Sequence, residues 1–405
     1  MGSGSHTGMG RVGMRRVLVV VTGAVLAMTL SATAAVALPG DTPAKTLGTN
    51  GPVRALLQVG NVMWVGGHFT ALSDGTPVSG LAALDVNTGQ KASGVTPPAL
   101  TGTAFVYDLA ADGTTVYAAG TFGAANGAKN LVAFNGTNGA LIRSFSAPAL
   151  KSVLFVGGRI LAGSGKLQAF LPNGSKDASW TTTTAKTDAS LRAHTTIPSF
   201  RDVKPAPGGG YFAACQCDWV LNPGDAQDTS SQTKAIVKLS ANGSVDRTWK
   251  PASLSASSAA FGIDLFVDGD AVVLAAGGSD FTAKYNASTG AQIFHTDTNG
   301  SSQAVTRYND GSSNYIVGGH YRCVGTTFHP KLAALSLSGA LDTSWTVAPT
   351  PQYNGVWVVT QDTNGHLWIG GEFKKLGTGW VPSTCSDIHP VSTGSVSQQF
   401  VARID

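Results

Sequence analysis

Seven side chains in three long, polar stretches of the chain could together bind a ligand. The candidate binding residues are Asp218, Trp219, Arg322, His329, Trp380, Asp387 and His389. An indole ring offers a flat apolar face to a sugar or a peptide, and neighbouring Asp, Arg and His groups can fix the orientation of that ligand. Aromatic side chains often stabilise a fold instead, so the alternative interpretation is that Trp219 and Trp380 pack beneath their own loops.

Three aspartates in apolar segments could perform acid or metal chemistry. Asp108, Asp202 and Asp264 each precede a glycine turn by five or six residues. Close to them, in a similar register, are Arg54, Arg201 and Arg307. A ring of such carboxylates at the axis of repeated sheets could act as a base or hold a cation such as calcium. The alternative is that each carboxylate accepts hydrogen bonds from main-chain amides of a neighbouring repeat.

A recurring Gly-Gly-x-aromatic segment places one variable residue at the same point of several repeats. These variable residues are His68, Thr121, Gln216, His320 and Glu372. Two histidines and a carboxylate could ligate a metal ion. Equivalent positions on separate repeats usually lie far apart, however, and a histidine there can hydrogen-bond the next loop. We therefore predict no metal site and no cofactor, with calcium at the axial carboxylates as the open alternative.

Linear catalytic motifs are missing from the sequence. It has no Gly-x-Ser-x-Gly elbow with an evident triad, no His-Glu-x-x-His and no phosphate-binding loop. Acids scattered over several repeats leave no such motif, so catalysis stays open as the less favoured hypothesis.

The four cysteines indicate an oxidising compartment. Four cysteines allow three pairings, and their positions favour Cys215 with Cys217 and Cys323 with Cys385. A zinc site is the weaker interpretation, because the paired Cys-x-x-Cys spacing of zinc ribbons is missing. A redox-active Cys-x-Cys is a further alternative, although no evident neighbouring base would stabilise a thiolate.

Charge is sparse, and its distribution argues against nucleic-acid binding. Charged residues make up 12% of the chain, which also contains 51 glycines. Loss of residues 1–37 removes Arg11, Arg15 and Arg16 and no acid, so the formal charge falls from +4 to +1. A near-neutral chain without Lys/Arg clusters has no electrostatic footprint for nucleic acid.

The N-terminal segment has the pattern of a secretory signal peptide. Arg15 and Arg16 precede an apolar run over residues 17–30, and an Ala-x-Ala cleavage site follows at 35–37. The run is too short for a membrane span. We therefore predict that residues 1–37 are removed and that residues 38–405 form a secreted or surface-associated monomer with no transmembrane segment.

Two short patterns recur along the chain and define its organisation. The first, a Gly-centred hairpin followed by Asp-x-Ser/Thr-Trp or a looser version of it, occurs at 134–145, 170–180, 239–249 and 335–345. The second, a β-run ending in Gly-Gly-x-aromatic or a close variant, occurs at 63–69, 116–122, 314–321 and 367–373. Glycine supplies the positive φ angle of a tight turn, and the aromatic residue fills space between sheets. Both patterns predict antiparallel strands.

Seven repeat units of about fifty residues predict the fold, because this is the length of a four-stranded propeller blade. The units are 51–100, 101–150, 151–195, 196–254, 255–300, 301–352 and 353–405. We predict an all-β, single-domain, seven-bladed β-propeller over residues 38–405, with six or eight blades as the range. The N-terminal segment 44–51 would supply the outer strand that closes the ring and removes free sheet edges.

The hairpins at 173–180 and 242–249, together with the Gly-Gly-x-Phe strands, resemble the delta-60 repeat of secreted and surface bacterial β-propellers. That resemblance implies the fold and assigns no catalytic residues. The function predicted for the loop-rich face is binding of a cell-envelope glycan or a surface protein. The alternative is an extracellular enzyme, of the hydrolase or lyase type, that acts on a polysaccharide or lactone through the axial carboxylates.

Overall fold

The computed structural model describes residues 38–40, 43–188, 197–228, 232–251, 254, 259–309, 314–350, 355–378, 384–386 and 396–405. The predicted signal peptide, residues 1–37, lies outside these residues, as do Trp380, Asp387 and His389. Regular structure in the described part is almost entirely β-strand, with one 3-10 turn at Ala125–Gly127. None of its helices has the length and apolar character needed to span a membrane. The all-β class predicted from the sequence is confirmed.

The described residues form thirty strands, numbered in chain order. Strands β1 to β10 are Val53–Val59, Val62–Gly67, Leu81–Asp85, Thr101–Asp112, Thr115–Gly123, Lys129–Asn135, Leu141–Ser146, Ser152–Val156, Arg159–Gly163 and Lys166–Phe170. Strands β11 to β20 are Thr183–Lys186, Ser199–Pro205, Tyr211–Gln216, Trp219–Leu221, Ile236–Leu239, Phe261–Asp268, Ala271–Gly277, Phe281–Asn286, Gln292–Asp297 and Ser302–Tyr308. Strands β21 to β30 are Asn314–Gly319, Cys323–Val324, Thr327–Phe328, Leu332–Leu335, Val347–Thr350, Val356–Gln361, Leu367–Gly371, Lys375–Thr378, Val396–Ser397 and Val401–Ile404.

Small antiparallel sheets follow one another along the described chain. Seven of them have the strand orders β1-β2-β3, β4-β5-β6-β7, β8-β9-β10-β11-β14, β12-β13-β15, β16-β17-β18-β19, β20-β21-β24 and β26-β27-β30. Two more, β22-β23 and β25-β28-β29, are formed by connecting segments. Strand β14 departs from the chain order, because it leaves the fourth repeat and pairs with β11 at the edge of the third sheet.

The first strands of the seven sheets lie side by side. Strands β1, β4, β8, β12, β16, β20 and β26 each contact the next in this order, and β26 also contacts β1. Buried apolar side chains fill the space between adjacent sheets. For example, the ring of Trp64 in β2 lies 4.6 Å from that of Phe134 in β6, and the Trp64 indole donates to the carbonyl oxygen of Gly136 at 2.9 Å. The core is therefore distributed between sheets.

The segment before β1 pairs with the last strand of the chain. The Gly40 amide donates to the Asp405 carbonyl at 2.7 Å, and the Ala44 amide donates to the Arg403 carbonyl at 2.9 Å. This pairing extends the β26-β27-β30 sheet. It begins slightly earlier in the chain than the predicted segment 44–51, of which Thr49 also contributes a hydrogen bond to Gln399.

The repeated hairpin has the local structure that its sequence predicts. In the fourth repeat, Gly243 has a φ of 88°, and Asp246 Oδ1 accepts the Thr248 amide at 2.9 Å. A Cβ atom at Gly243 would lie 2.5 Å from the ring of Trp180, so only glycine fits there. The buried Trp249 indole donates to the carbonyl of Asn286 in the next sheet at 3.2 Å. Each motif therefore joins two neighbouring sheets.

Two disulfides are present in the described residues. Cys215 is bonded to Cys217, at the end of β13, and Cys323 is bonded to Cys385, 62 residues further along the chain. These pairs are the ones that the positions of the cysteines favour. The second bond ties β22 to a loop that follows β28.

Candidate functional site

A cavity of about 290 Å³ lies where the first strands meet. The first layer of its wall, in which Ile263 is the one aliphatic residue, consists of Arg54, Tyr107, Lys151, Arg201, Ile263, Gln303 and Trp357. A second layer contains Asp108, Asp202, Asp264 and Lys204. The structure thus brings the three predicted axial aspartates to one site.

β-Bulges determine which side chains form the first layer. In β1, Val53 pairs with Gly67 and Ala55 pairs with Gly66, so Arg54 is an extra residue without a partner. The same register shift occurs in five other first strands, at Tyr107, Arg201, Ile263, Gln303 and Trp357. Strand β8 has a regular register, and Lys151 immediately precedes it. A bulge re-aims a side chain, which explains why equivalent residues of successive repeats converge on this cavity.

Three cations lie in this layer, and aromatic rings hold two of them. The guanidinium carbon of Arg54 lies 3.4 Å from the centroid of the Trp357 ring, and Lys151 Nζ lies 3.3 Å from that of Tyr107. Such cation–π contacts are worth about 0.5 to 2 kcal/mol each and restrict the motion of long side chains. The third cation, Arg201, is partly buried.

The environment of these cations disfavours their charged forms. Burial lowers the pKa of Lys151 to about 8, and the charges of Arg201 and Arg54 add to this effect. Burial also lowers the pKa of Arg54 to about 10, although Glu372 opposes the shift. The pKa of Arg201 is lowered for the same reason, since that guanidinium is desolvated. Positive charge is therefore concentrated where water screens it poorly.

The loop-facing rim beside this layer carries two of the variable residues from the Gly-Gly-x-aromatic segments. Glu372 Oε1 accepts a hydrogen bond from Arg54 Nη2 at 3.1 Å. His68 stacks on Phe105 at 5.1 Å, and Phe105 stacks on Tyr107 at 4.0 Å. The first layer of the cavity wall therefore lies beside the ends of the second strands, from which the long loops leave.

The remaining variable residues do not gather into one polar ring around a ligand position. His320 Nδ1 lies 2.9 Å from Nε2 of the buried Gln303, and the pKa of His320 is lowered by burial. Thr121 is exposed and Gln216 is half-buried. In the part of the chain that the structure describes, no three His, Cys, Asp or Glu side chains are arranged to hold a metal ion.

The axial aspartates connect neighbouring first strands. Asp108 Oδ2 accepts the amide of Val153 in β8 at 2.8 Å, and Asp202 Oδ2 accepts that of Leu265 in β16 at 3.0 Å. Asp264 Oδ2 makes the equivalent bond to Val305 in β20 at 2.8 Å. These contacts match the structural interpretation of the three residues, in which the carboxylates accept amides of the next repeat.

Charge within this deeper layer is balanced internally. Lys204 Nζ donates to Asp202 Oδ1 at 2.7 Å. Burial disfavours the Lys204 ammonium, but the charges of Asp202, Asp264 and Asp108 outweigh burial and raise the pKa of Lys204. Burial and the charge of Asp202 raise the pKa of Asp108 to about 7 and that of Asp264 well above its ordinary value. The layer can therefore hold protons at neutral pH.

Three of the predicted binding residues, Asp218, Trp219 and His329, are buried in the structure and are not part of an exposed surface. Trp219 is only 5% exposed, because β14 folds back onto the third sheet and its indole donates to the Asp228 carbonyl at 2.7 Å. Asp218 is fully buried near Lys234 and accepts the Asp188 amide at 2.7 Å. His329 is buried with Nε2 2.9 Å from the Trp345 carbonyl oxygen.

The other loop residues do not extend the site in the described chain. Arg322 is half-buried and does not line the cavity, and its amide donates to Asn299 Oδ1 at 2.8 Å. Trp380, Asp387 and His389 lie outside the described residues.

Sequence reasoning missed several residues of the cavity and misplaced one. Arg307 does not line it, because its guanidinium bonds Asp268 near the other end of β16. Tyr107, Lys151 and Trp357 were not predicted. A signal was present for Tyr107, which immediately precedes Asp108 as Arg201 precedes Asp202. Aligning the first strands on these pairs would have marked the residue before each aspartate as a cavity position.

Comparison with known proteins shows similarity of fold alone. No protein-family model and no curated protein matches the sequence. The extracellular domain of BT4673 from B. thetaiotaomicron is similar over 90% of this chain and 40% of that one, with 12% identity and a TM-score of 0.51. This chain therefore spans less than half the length of that protein.

Two other solved structures are similar over nearly their whole length. The computationally designed Ika8 protein matches over 91% of this chain and 99% of its own, with 11% identity and a TM-score of 0.48. A Bacteroides fragilis protein provisionally named a 6-phosphogluconolactonase matches over 89% and 99%, with 13% identity and a TM-score of 0.47. At these identities no activity is transferred to this chain.

Proposed function

We propose that residues 38–405 form a secreted, seven-bladed β-propeller of the delta-60 type, closed by the N-terminal segment. Its support is the circuit of contacts through the first strands, which returns from β26 to β1. The hydrogen bonds from Gly40 and Ala44 to the last strand add to it. Two disulfides favour an oxidising compartment.

We further propose that this propeller is a binding module whose ligand site is the mouth of the cavity. The mouth is the first layer of the cavity wall, with Arg54, Tyr107, Lys151, Arg201, Gln303 and Trp357. The observation that supports this most is the pair of stacked cations, Arg54 on Trp357 and Lys151 on Tyr107, at the wall of a 290 Å³ space. Rigid aromatic and charged groups around a concave site are typical of ligand recognition. The volume suits one or two sugar units rather than a protein surface, so the ligand is a glycan, such as one of the cell envelope.

Unpartnered polar atoms at the cavity support a hydroxyl-rich ligand. Trp357 Nε1 and Gln303 Oε1 are buried, and neither has a hydrogen-bond partner among the described residues. A buried donor or acceptor without a partner is destabilising by about 1 to 3 kcal/mol. Sugar hydroxyls can both donate and accept, so a glycan could satisfy the two atoms after small side-chain movements.

The axial aspartates favour binding over the alternative of catalysis. Both carboxylate oxygens of Asp108 accept main-chain amides, from Leu109 and from Val153. Asp202 accepts from Val203, Lys204 and Leu265. Oxygens engaged in this way are poor candidates for a base or for cation ligands, because a reacting group would first have to displace these bonds.

The test is co-sedimentation of residues 38–405 with cell-envelope polysaccharide, comparing the wild type with Trp357→Leu and Arg201→Gln. Loss of binding in both variants, with unchanged thermal unfolding, is the expected result. Lys91→Gln, on the exposed surface, is the matched control. Full binding by both cavity variants would remove the site from the cavity mouth, and no binding by the wild type would refute the glycan-binding function.

A further inference from the structure

We propose that the glycan bound at the cavity mouth is acidic, and that Arg54, Lys151 and Arg201 bind its oxyanion, a carboxylate or a phosphate. This inference rests on the proposed function and specifies its ligand class. It follows from the charge and geometry of the first layer, in which three cations converge and one carboxylate, that of Glu372, pairs with one of them.

The cations of the mouth and of the deeper layer differ in whether they have an ion-pair partner. Lys204 is ion-paired with Asp202, and Arg54 is paired with Glu372. The side chains of Lys151 and Arg201 form neither an ion pair nor a hydrogen bond with any residue that the structure describes. Two positive charges in the mouth are therefore available to an incoming anion.

Mutual repulsion among these cations is what an anion would relieve. Arg201 acts on both Arg54 and Lys151, and Arg54 acts on Lys151, which shows that the three charges lie within electrostatic range of one another. Like charges held together in a poorly hydrated site are destabilising, and such an arrangement favours a ligand of opposite charge. The site resembles a preorganised anion receptor in this respect.

The geometry of the donors suits an oxyanion. Trp357 holds the Arg54 guanidinium by stacking, while Tyr107 holds the Lys151 ammonium. A guanidinium offers a planar fork that matches carboxylate or phosphate oxygens, and an ammonium adds a point charge. Because both side chains are restrained before binding, little conformational entropy is lost when the anion arrives.

The experiment compares three polymers with one backbone: dextran, carboxymethyl dextran and phosphorylated dextran. Each is titrated into residues 38–405, with intrinsic tryptophan fluorescence as the signal because Trp357 lines the mouth. Both charged polymers should bind at least about ten-fold more tightly than dextran, since charge-assisted hydrogen bonds are the stronger kind. Their relative affinities then distinguish carboxylate from phosphate as the preferred oxyanion.

Variants of the cavity cations, compared with variants of exposed cations, test which residues bind the oxyanion. Lys151→Gln and Arg201→Gln should each weaken binding of the charged polymers by about five- to ten-fold. Lys151→Arg should retain binding. Lys91→Gln and Arg143→Gln, both at exposed positions, should have no effect. Retained affinity in Lys151→Gln and Arg201→Gln would overturn the assignment of the oxyanion to these residues.

Failure of the inference and failure of the proposed function give different results. Equal affinity for dextran and its charged derivatives would overturn the acidic-ligand inference and retain glycan binding. If no polymer binds but free glucuronate or inorganic phosphate does, in a Lys151-dependent way, the glycan function is refuted and the oxyanion site stands. Binding of none of these probes would refute both.

Discussion

The guanidinium of Arg54 lies over the ring of Trp357, with its central carbon 3.4 Å from the ring centroid. Arg54 comes from β1 and Trp357 from β26, so the contact joins the first strands of two sheets from opposite ends of the described chain. One pair of side chains therefore contributes both to the junction of the chain's two ends and to the wall of the cavity. Changes at this pair should affect ligand binding through the position of the guanidinium.

Substitution of Glu372 and substitution of Arg54, which form an ion pair, should have opposite effects on the affinity for an acidic polymer. Glu372→Gln removes a carboxylate that competes with the ligand for Arg54, so affinity should rise by about three- to ten-fold, or roughly 1 kcal/mol. Arg54→Gln should lower affinity by a similar factor. Titration with carboxymethyl dextran measures both, and Asp74→Asn, an exposed acid, is the control. Weaker binding by Glu372→Gln would contradict the prediction.

Binding of an acidic ligand should weaken as the pH rises through about 8. The pKa of Lys151 is lowered to about 8, so the ammonium loses its proton in this range while the pKa of Arg54, about 10, keeps that group charged. The loss should be several-fold between pH 7 and 9. Lys151→Arg should abolish the pH dependence and keep the affinity, whereas Lys151→Gln should be weak at both pH values. An unchanged wild-type affinity across this range would exclude a role for the Lys151 charge.

The fold was largely predictable because its determinants are local. A hairpin glycine at positive φ, an Asp that caps its own turn and a Trp that reaches the next sheet all lie within one short motif, as at Gly243, Asp246 and Trp249. Repetition then indicated many similar sheets. The excursion of β14 to the third sheet was not predictable in this way, because it depends on pairing between Lys186 and Trp219 in different repeats.

The site was less predictable because it depends on register and convergence. The axial aspartates stood out, since charged residues in apolar strands are unusual. Lys151 and Trp357 gave no comparable signal. Trp357 becomes a cavity residue only through a bulge, and Lys151 only through its position immediately before β8. Trp219 is the opposite case. It was conspicuous in the sequence as an aromatic residue in a long polar stretch, but it is buried in the structure.

The contribution of Asp108 to the free energy of unfolding should fall as the pH rises from about 5 to 7. The pKa of Asp108 is raised from its ordinary value of 3.8 to about 7, so the folded protein retains a proton that the unfolded chain releases. The folded state binds more protons in this window, and its free energy of unfolding therefore decreases with pH, by up to about 1.4 kcal/mol per pH unit for this group. Asp264, whose pKa is also raised, adds to the slope.

Urea unfolding at pH 5, 6 and 7 measures this slope. Asp108→Asn should flatten it in part, with a loss of about 1 to 3 kcal/mol at pH 5 because one main-chain amide loses its acceptor. Asp74→Asn, which removes an exposed carboxyl, should leave the slope unchanged. A pH slope in Asp108→Asn equal to that of the wild type would contradict the assignment.

Trp219 and Trp357 should separate stability from binding when each is replaced by Ala. Trp219 is 5% exposed in β14 at the edge of the third sheet, so its removal should lower the free energy of unfolding by about 3 to 5 kcal/mol. Affinity per folded molecule should not change, because Trp219 does not line the cavity. Trp357→Ala should instead reduce affinity by at least about ten-fold through the loss of its contact with Arg54. Thermal unfolding measures stability, and polymer titration measures affinity. A loss of affinity in folded Trp219→Ala would indicate that the ligand binds at the loops and not at the cavity.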